Sequence, residues 1–214
     1  MRFPLLNAAA LALALGLTAT PAAAQSEAHA HIGHVITAWG DTPEGAGLLP
    51  TAQSEANVAA QHAGYAASDP ANLDSMKAHT GHVMHAIDPR VEPQGPGAGY
   101  GVKAAAQGVA DHIGFAAASA DASDNVKTHA QHVSTSAGNV VGWSEEIIVL
   151  GKQVKAANDA AEAAPLVLKI RVLSEQIANG TDSDGDGGVS WKKGEGGLAQ
   201  AEAHMGFMMK GEGL

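Results

Sequence analysis

The residues best suited to chemistry in this chain are its 11 histidines, and they fall into a pattern. Three pairs stand three residues apart, each followed by valine: His31 and His34, His79 and His82, His129 and His132. Three others stand alone before a glycine and an aromatic: His62-Ala-Gly64-Tyr65, His112-Ile-Gly114-Phe115 and His204-Met-Gly206-Phe207. Residues three apart on an α-helix share a face, so each pair offers two imidazoles on one side. A lone histidine from a neighbouring helix completes a set of three, leaving a fourth position open. That donor set suits zinc or copper. The expected transition-metal ligands are thus His31, His34, His62, His79, His82, His112, His129, His132 and His204, converging inside the fold.

The spacing also points to repetition. Residues 56–88 align with 106–138 without a gap, matching His62, His79 and His82 to His112, His129 and His132. The chain reads as three rounds of a paired element followed by a single one, at about 29–68, 70–120 and 122–210. The last round carries an insertion at about 142–196.

The elements that must position these rings read as helices. Starts and stops place helices at about 52–68, up to Ile87 from a cap at Ser68–Pro70, 102–120, 122–141 and 197–209. Asp88-Pro89-Arg90 and residues 93–101 form a loop. Trp143–Ala164 and Leu166–Asn179 read as a hairpin broken near Pro165 and stopped by Gly180. No segment alternates with period two, so the fold class is all-α: an alanine-rich bundle with 45 alanines, built from repeats of about 50 residues.

With Asp74 set at zero on a helical wheel, Met76, Val83 and Ile87 fall at roughly 180–220° and define the core stripe. His79 falls at about 140° inside that stripe, His82 at about 80° on its flank, and His85 at about 20°, facing water. Asp74 with Lys77, and Asp124 with Lys127, are expected to form solvated ion pairs. Gly64, Gly114 and Gly206 each interrupt a helix at about 1 kcal/mol relative to alanine. The missing side chain would suit a close helix crossing or a flat cofactor. A b-type haem between histidines, walled by Tyr65, Phe115 and Phe207, is thus the rival to a simple metal ion. A third reading satisfies the histidines internally and leaves calcium as the one ligand. Di-iron chemistry is disfavoured, because Asp74 and Asp124 point away from the histidines.

Residues 182–193, Asp182-Ser-Asp184-Gly-Asp186-Gly187-Gly188-Val-Ser190-Trp-Lys-Lys193, resemble the calcium loop of the EF-hand family. The resemblance covers about a dozen residues. It implies Asp182, Asp184 and Asp186 as side-chain ligands, Gly188 through its carbonyl and Ser190 at the water-mediated position. Lys193 stands where the family has a bidentate glutamate, and Glu195, two residues on, is the candidate substitute.

Composition bounds the rest. Twelve basic and 22 acidic residues give a net charge of −10, which disfavours a nucleic-acid partner. The absence of cysteine excludes disulfides, thiolate metal sites and covalent c-type haem. Residues 1–24 read as a signal peptide: Arg2, an apolar run to Leu17, then Ala22-Ala23-Ala24. The mature chain from 25 to 214 is then a single periplasmic or secreted domain with no membrane attachment. No nucleophile motif or phosphate loop appears, so the reading favours a metal-ion binder over an enzyme. Protein partners are not legible in the sequence.

Overall fold

The computed structural model describes residues 26–214, so the expected signal peptide lies outside the described residues. Seven α-helices and no strand occur among them: α1 Glu27–Ile36, α2 Leu48–Ser68, α3 Leu73–Ile87, α4 Val102–Ala118, α5 Asp124–Ala156, α6 Ala160–Asn179 and α7 Leu198–Glu212. No helix among them is long and apolar enough to cross a membrane.

Small residues set the packing. Ala52, Ala56, Ala59, Ala63 and Ala66 form a buried stripe along α2, which packs on α3, α4 and α6. Ala105, Ala106, Val109, Ile113 and Ala116 do the same for α4. Larger side chains fill the space between: Met76, Ile147, Ile170, Ile177, Leu198, Met205 and Met208 are fully buried. Four helix starts, those of α1, α3, α5 and α6, are capped by short polar side chains, which accept free amides of the first turn. Asn72 accepts from Ser75, Ser123 from Val126 and Asp159 from Glu162. At α1, the Asp121 carboxylate also receives the Glu27 and Ala28 amides, fixing the helix start to the α4–α5 turn.

The α5–α6 break differs from the sequence expectation. Helix α5 runs unbroken through Trp143 to Ala156, and the chain turns at residues 157–159. Asp159 starts α6 there, and Pro165 lies within that helix. So early in a helix, proline forfeits one hydrogen bond and a capped start retains the rest.

Loop 88–101 is tied down at both ends. The buried Glu55 carboxylate accepts the Tyr100 and Gly101 amides, and Asp88 pairs with Arg90. This loop corrects the wheel at His85. The ring is only 6% exposed. Its Nδ1–H donates to the Glu92 carbonyl at 2.8 Å, and the bare backbone of Gly95 packs on it. A helical wheel registers a core stripe but not a loop folding over the opposite face.

Candidate metal centres

All nine expected histidines meet, in three separate sets at the half-buried rim of the bundle and not in one interior cluster. Helices α1 and α4 bring His31 Nδ1 to 3.0 Å and His34 Nδ1 to 3.3 Å from His112 Nδ1. Between α2 and α3, His79 Nδ1 and His82 Nδ1 lie 3.0 and 3.2 Å from His62 Nδ1. Between α5 and α7, His129 Nδ1 and His132 Nδ1 lie 3.1 and 3.3 Å from His204 Nδ1. The three sets are called sites 1, 2 and 3.

In sites 1 and 2 the partners do not follow the sequence rounds, whereas site 3 closes within the third. His62 joins the pair after it and His112 returns to the first pair. A short turn folds α3 back onto α2, whereas loop 88–101 carries α4 across to α1.

In each site one ring nitrogen from each histidine lies within 4.8 Å of the other two. A neutral imidazole has one N–H and one lone pair, and in each set the single histidine faces both others through one nitrogen. That nitrogen can donate to one neighbour, or accept from two along one lone pair; neither choice satisfies all three. A shared cation uses three lone pairs at once. Bonds of 2.0–2.1 Å in tetrahedral geometry would hold such nitrogens about 3.3–3.4 Å apart, close to the spacing observed.

Comparison with protein-family models, curated proteins and solved structures finds no match. The chemistry must therefore be read from these residues themselves.

Aromatic rings frame the three histidine sets. Phe115, Tyr65 and Phe207 flank sites 1, 2 and 3, each 5.3–5.8 Å from two of the ligand rings. Trp39 packs on His34 and His112, and Trp191 stacks on His132. Trp191 had no signal in the sequence, because it lies in the acidic loop with no helical period to place it.

The remaining histidines are elsewhere: His85 is the buried ring described above, and His29 Nε2 sits 3.1 Å from Glu212. Asp74 and Asp124 are exposed, as expected, but neither expected Asp–Lys ion pair forms. Both aspartates occupy first helical turns, where the helix dipole already favours a carboxylate.

The three helix-interrupting glycines are not packing devices. A Cβ built on Gly64, Gly114 or Gly206 meets nothing within 4 Å, so no close helix crossing explains them. Replacing each by alanine should raise stability by about 0.5–1 kcal/mol through helix propensity. Denaturant unfolding checks this, and a loss at any of the three would reveal a contact absent from the fold described here.

Burial holds His34, His62, His79, His112, His132 and His204 below the ordinary imidazole value of 6.5. Neighbouring imidazoles of the same set push in the same direction. At His112, Asp111 and Asp41 partly oppose them. As pH falls through 6.5, the unfolded chain gains protons that these folded rings still refuse, so the unfolded state is favoured. Their full contribution is present above 6.5, is lost as pH falls toward the lowered folded values, and levels off beneath them. Urea midpoints in chelator at pH 7.5, 6.0 and 5.0 should decline in that order; a flat profile would contradict the burial of these rings.

In the acidic loop, the side chains of Asp182, Asp184 and Asp186 gather within 4.8 Å of one another. Asp182 accepts the Gly185, Asp186 and Gly187 amides, and Asp186 accepts that of Gly188. Lys192 Nζ lies 2.8 Å from Asp184 and 3.5 Å from Asp186, and holds the Asp184 carboxyl below its ordinary range. Glu195 lies beside the aspartates, where it accepts the Ser183 hydroxyl and pairs with Ser190. Glu195 is 2% exposed and accepts the Ser190 hydroxyl at 2.6 Å and amide at 3.1 Å, so each satisfies the other.

Proposed function

We propose that this is an exported, histidine-rich protein that binds three transition-metal ions, zinc or copper, one at each three-histidine site. The observation that carries this reading is the recurrence of one donor arrangement: three Nδ1 atoms facing one another, three times, on three different helix pairs. Imidazole nitrogen is a donor with high affinity for both metals. No carboxylate joins the nine ligands, which argues against a di-iron centre. Export directed by residues 1–24 would suit storage, delivery or tolerance of metal outside the cytoplasm.

The haem alternative is less well supported. Facing nitrogens only 3.0–3.3 Å apart leave no slot for a porphyrin between them. Tyr65, Phe115 and Phe207 are 46%, 54% and 56% exposed and enclose no macrocycle.

For the acidic loop we propose calcium, on the gathering of three carboxylates around a turn whose amides already fix Asp182. Calcium would have to displace Lys192, so Lys192→Ala should tighten binding in a calcium titration; unchanged affinity would count against this cation site.

The test for the transition-metal sites is elemental analysis and X-ray absorption on the mature chain without a histidine tag. The expected result is three zinc or copper ions per chain, each with imidazole nitrogen as its main donor and no Soret band. Calcium alone, or a haem spectrum, would overturn the reading.

A further inference from the structure

Sites 1 and 3 share a ring that site 2 lacks. Trp39 lies 4.8 Å from His34 and 4.4 Å from His112, and Trp191 lies 4.1 Å from His132, nearly parallel at 21°. In each case the covered ring includes the second histidine of the pair. The corresponding ring of site 2, His82, meets no indole among the described residues. A cavity of about 430 Å³ adjoins it, lined by Lys77, Gly81, Glu92, Gln94 and Lys155. A comparable cavity of about 420 Å³ adjoins His112, also with charged lining (Arg90, Lys103, Asp111), but there Trp39 and Phe115 share the lining.

The flanking ring differs in the same direction. Sites 1 and 3 carry Phe115 and Phe207, whereas site 2 carries Tyr65, whose hydroxyl accepts from Gln61. Thus the missing indole and the hydroxylated flanking ring set site 2 apart from the other two.

Resting on the reading of the triads as metal sites, we propose that site 2 is the exchange site, through which metal is given up to polyanionic chelating ligands. Trp39 and Trp191 are positioning residues. By packing on ligand imidazoles they restrict ring rotation and hinder water or a competing ligand from reaching the metal–nitrogen bonds. The His82 ring has no such cover. Lys77 beside it supplies positive charge for an incoming carboxylate, while Lys155 is paired with Glu92 and Gln94 offers a polar contact. Exchange rate, and not ligand identity, is what separates the sites.

The experiment is stopped-flow transfer of zinc from the fully loaded full-length mature protein to excess EDTA, with zinc release followed by a chromophoric indicator. Two phases are expected, with one third of the zinc leaving at least tenfold faster than the rest. His62→Ala should abolish the fast third and leave the slow two thirds. Trp191→Ala should move a second third into the fast phase, whereas Trp191→Phe, which keeps a stacked ring, should not. A single phase, or a fast third that survives His62→Ala, would overturn the assignment of exchange to site 2. Failure of the protein to take up zinc at the outset would instead refute the metal reading on which this proposal rests.

Discussion

Zinc at saturation should raise the thermal midpoint of the mature protein by more than about 15 °C over the same protein in chelator. A ligand that binds only the folded state stabilises it by about 2.7 kcal/mol at one hundred times its dissociation constant. Three independent sites give about 8 kcal/mol, and in a domain of this size each kcal/mol moves the midpoint by about 2–4 °C. The topology makes the linkage strong. Site 1 joins residues 78 and 81 positions apart, and site 3 joins residues 72 and 75 apart, so neither set persists in an unfolded chain. Site 1 also pins α1, a helix of 10 residues whose buried side chains are only Ala28, Ile32 and Val35. Calorimetry with and without zinc checks the shift. A midpoint indifferent to zinc would mean that the sets do not bind it in the folded state.

Removing the central ring of any one set should subtract one metal and no more. In each set the single histidine faces both members of the pair, so His112→Ala, His62→Ala and His204→Ala each leave two donors. Zinc stoichiometry should fall from three to two in each variant, with about a third of the zinc-dependent stabilisation lost, because the sites lie on separate helix pairs. His85→Ala is the contrasting control. It should retain three zinc ions yet lose about 1–3 kcal/mol in chelator, since it removes a buried ring and orphans the Glu92 carbonyl. Equilibrium dialysis and urea unfolding on the four variants separate these outcomes. Loss of zinc in His85→Ala, or loss of all three ions in any single-site variant, would contradict three independent centres.

The histidine pairs were legible in the sequence because their signal is local: a spacing of three on a helix is a statement about one face. Which ring completes which pair was not, because it depends on where loops carry whole helices. The gap-free alignment of 56–88 with 106–138 pairs α2–α3 with α4–α5, yet only α2–α3 closes a site within itself. Helix α4 faces α1 with His112, and α5 faces α7 with His129 and His132. His85 failed for a related reason, since loop 88–101 covers a helix face that the hydrophobic pattern leaves polar. Pro165 misplaced a helix break because a well-capped start at Asp159 outweighs one lost hydrogen bond. Glu195 stands two residues past the family's glutamate position, and its buried carboxylate accepts from Ser190 and Ser183. The all-helical fold itself was legible, since the absence of period-two alternation and stops such as Gly180 are read within a few residues.

The central claim is that nine specific imidazoles share metal through one named nitrogen. Long-range 1H–15N correlation of the histidine side chains, recorded on the 15N-labelled protein during a zinc titration, tests it ring by ring. Nine of the 11 histidines should convert to rings that bind zinc at Nδ1 and carry their proton on Nε2, saturating at three zinc ions per chain, while His29 and His85 stay as they were. Zinc-dependent shifts confined to His29 and His85, coordination through Nε2, or rings that titrate without any metal-bound form would contradict it.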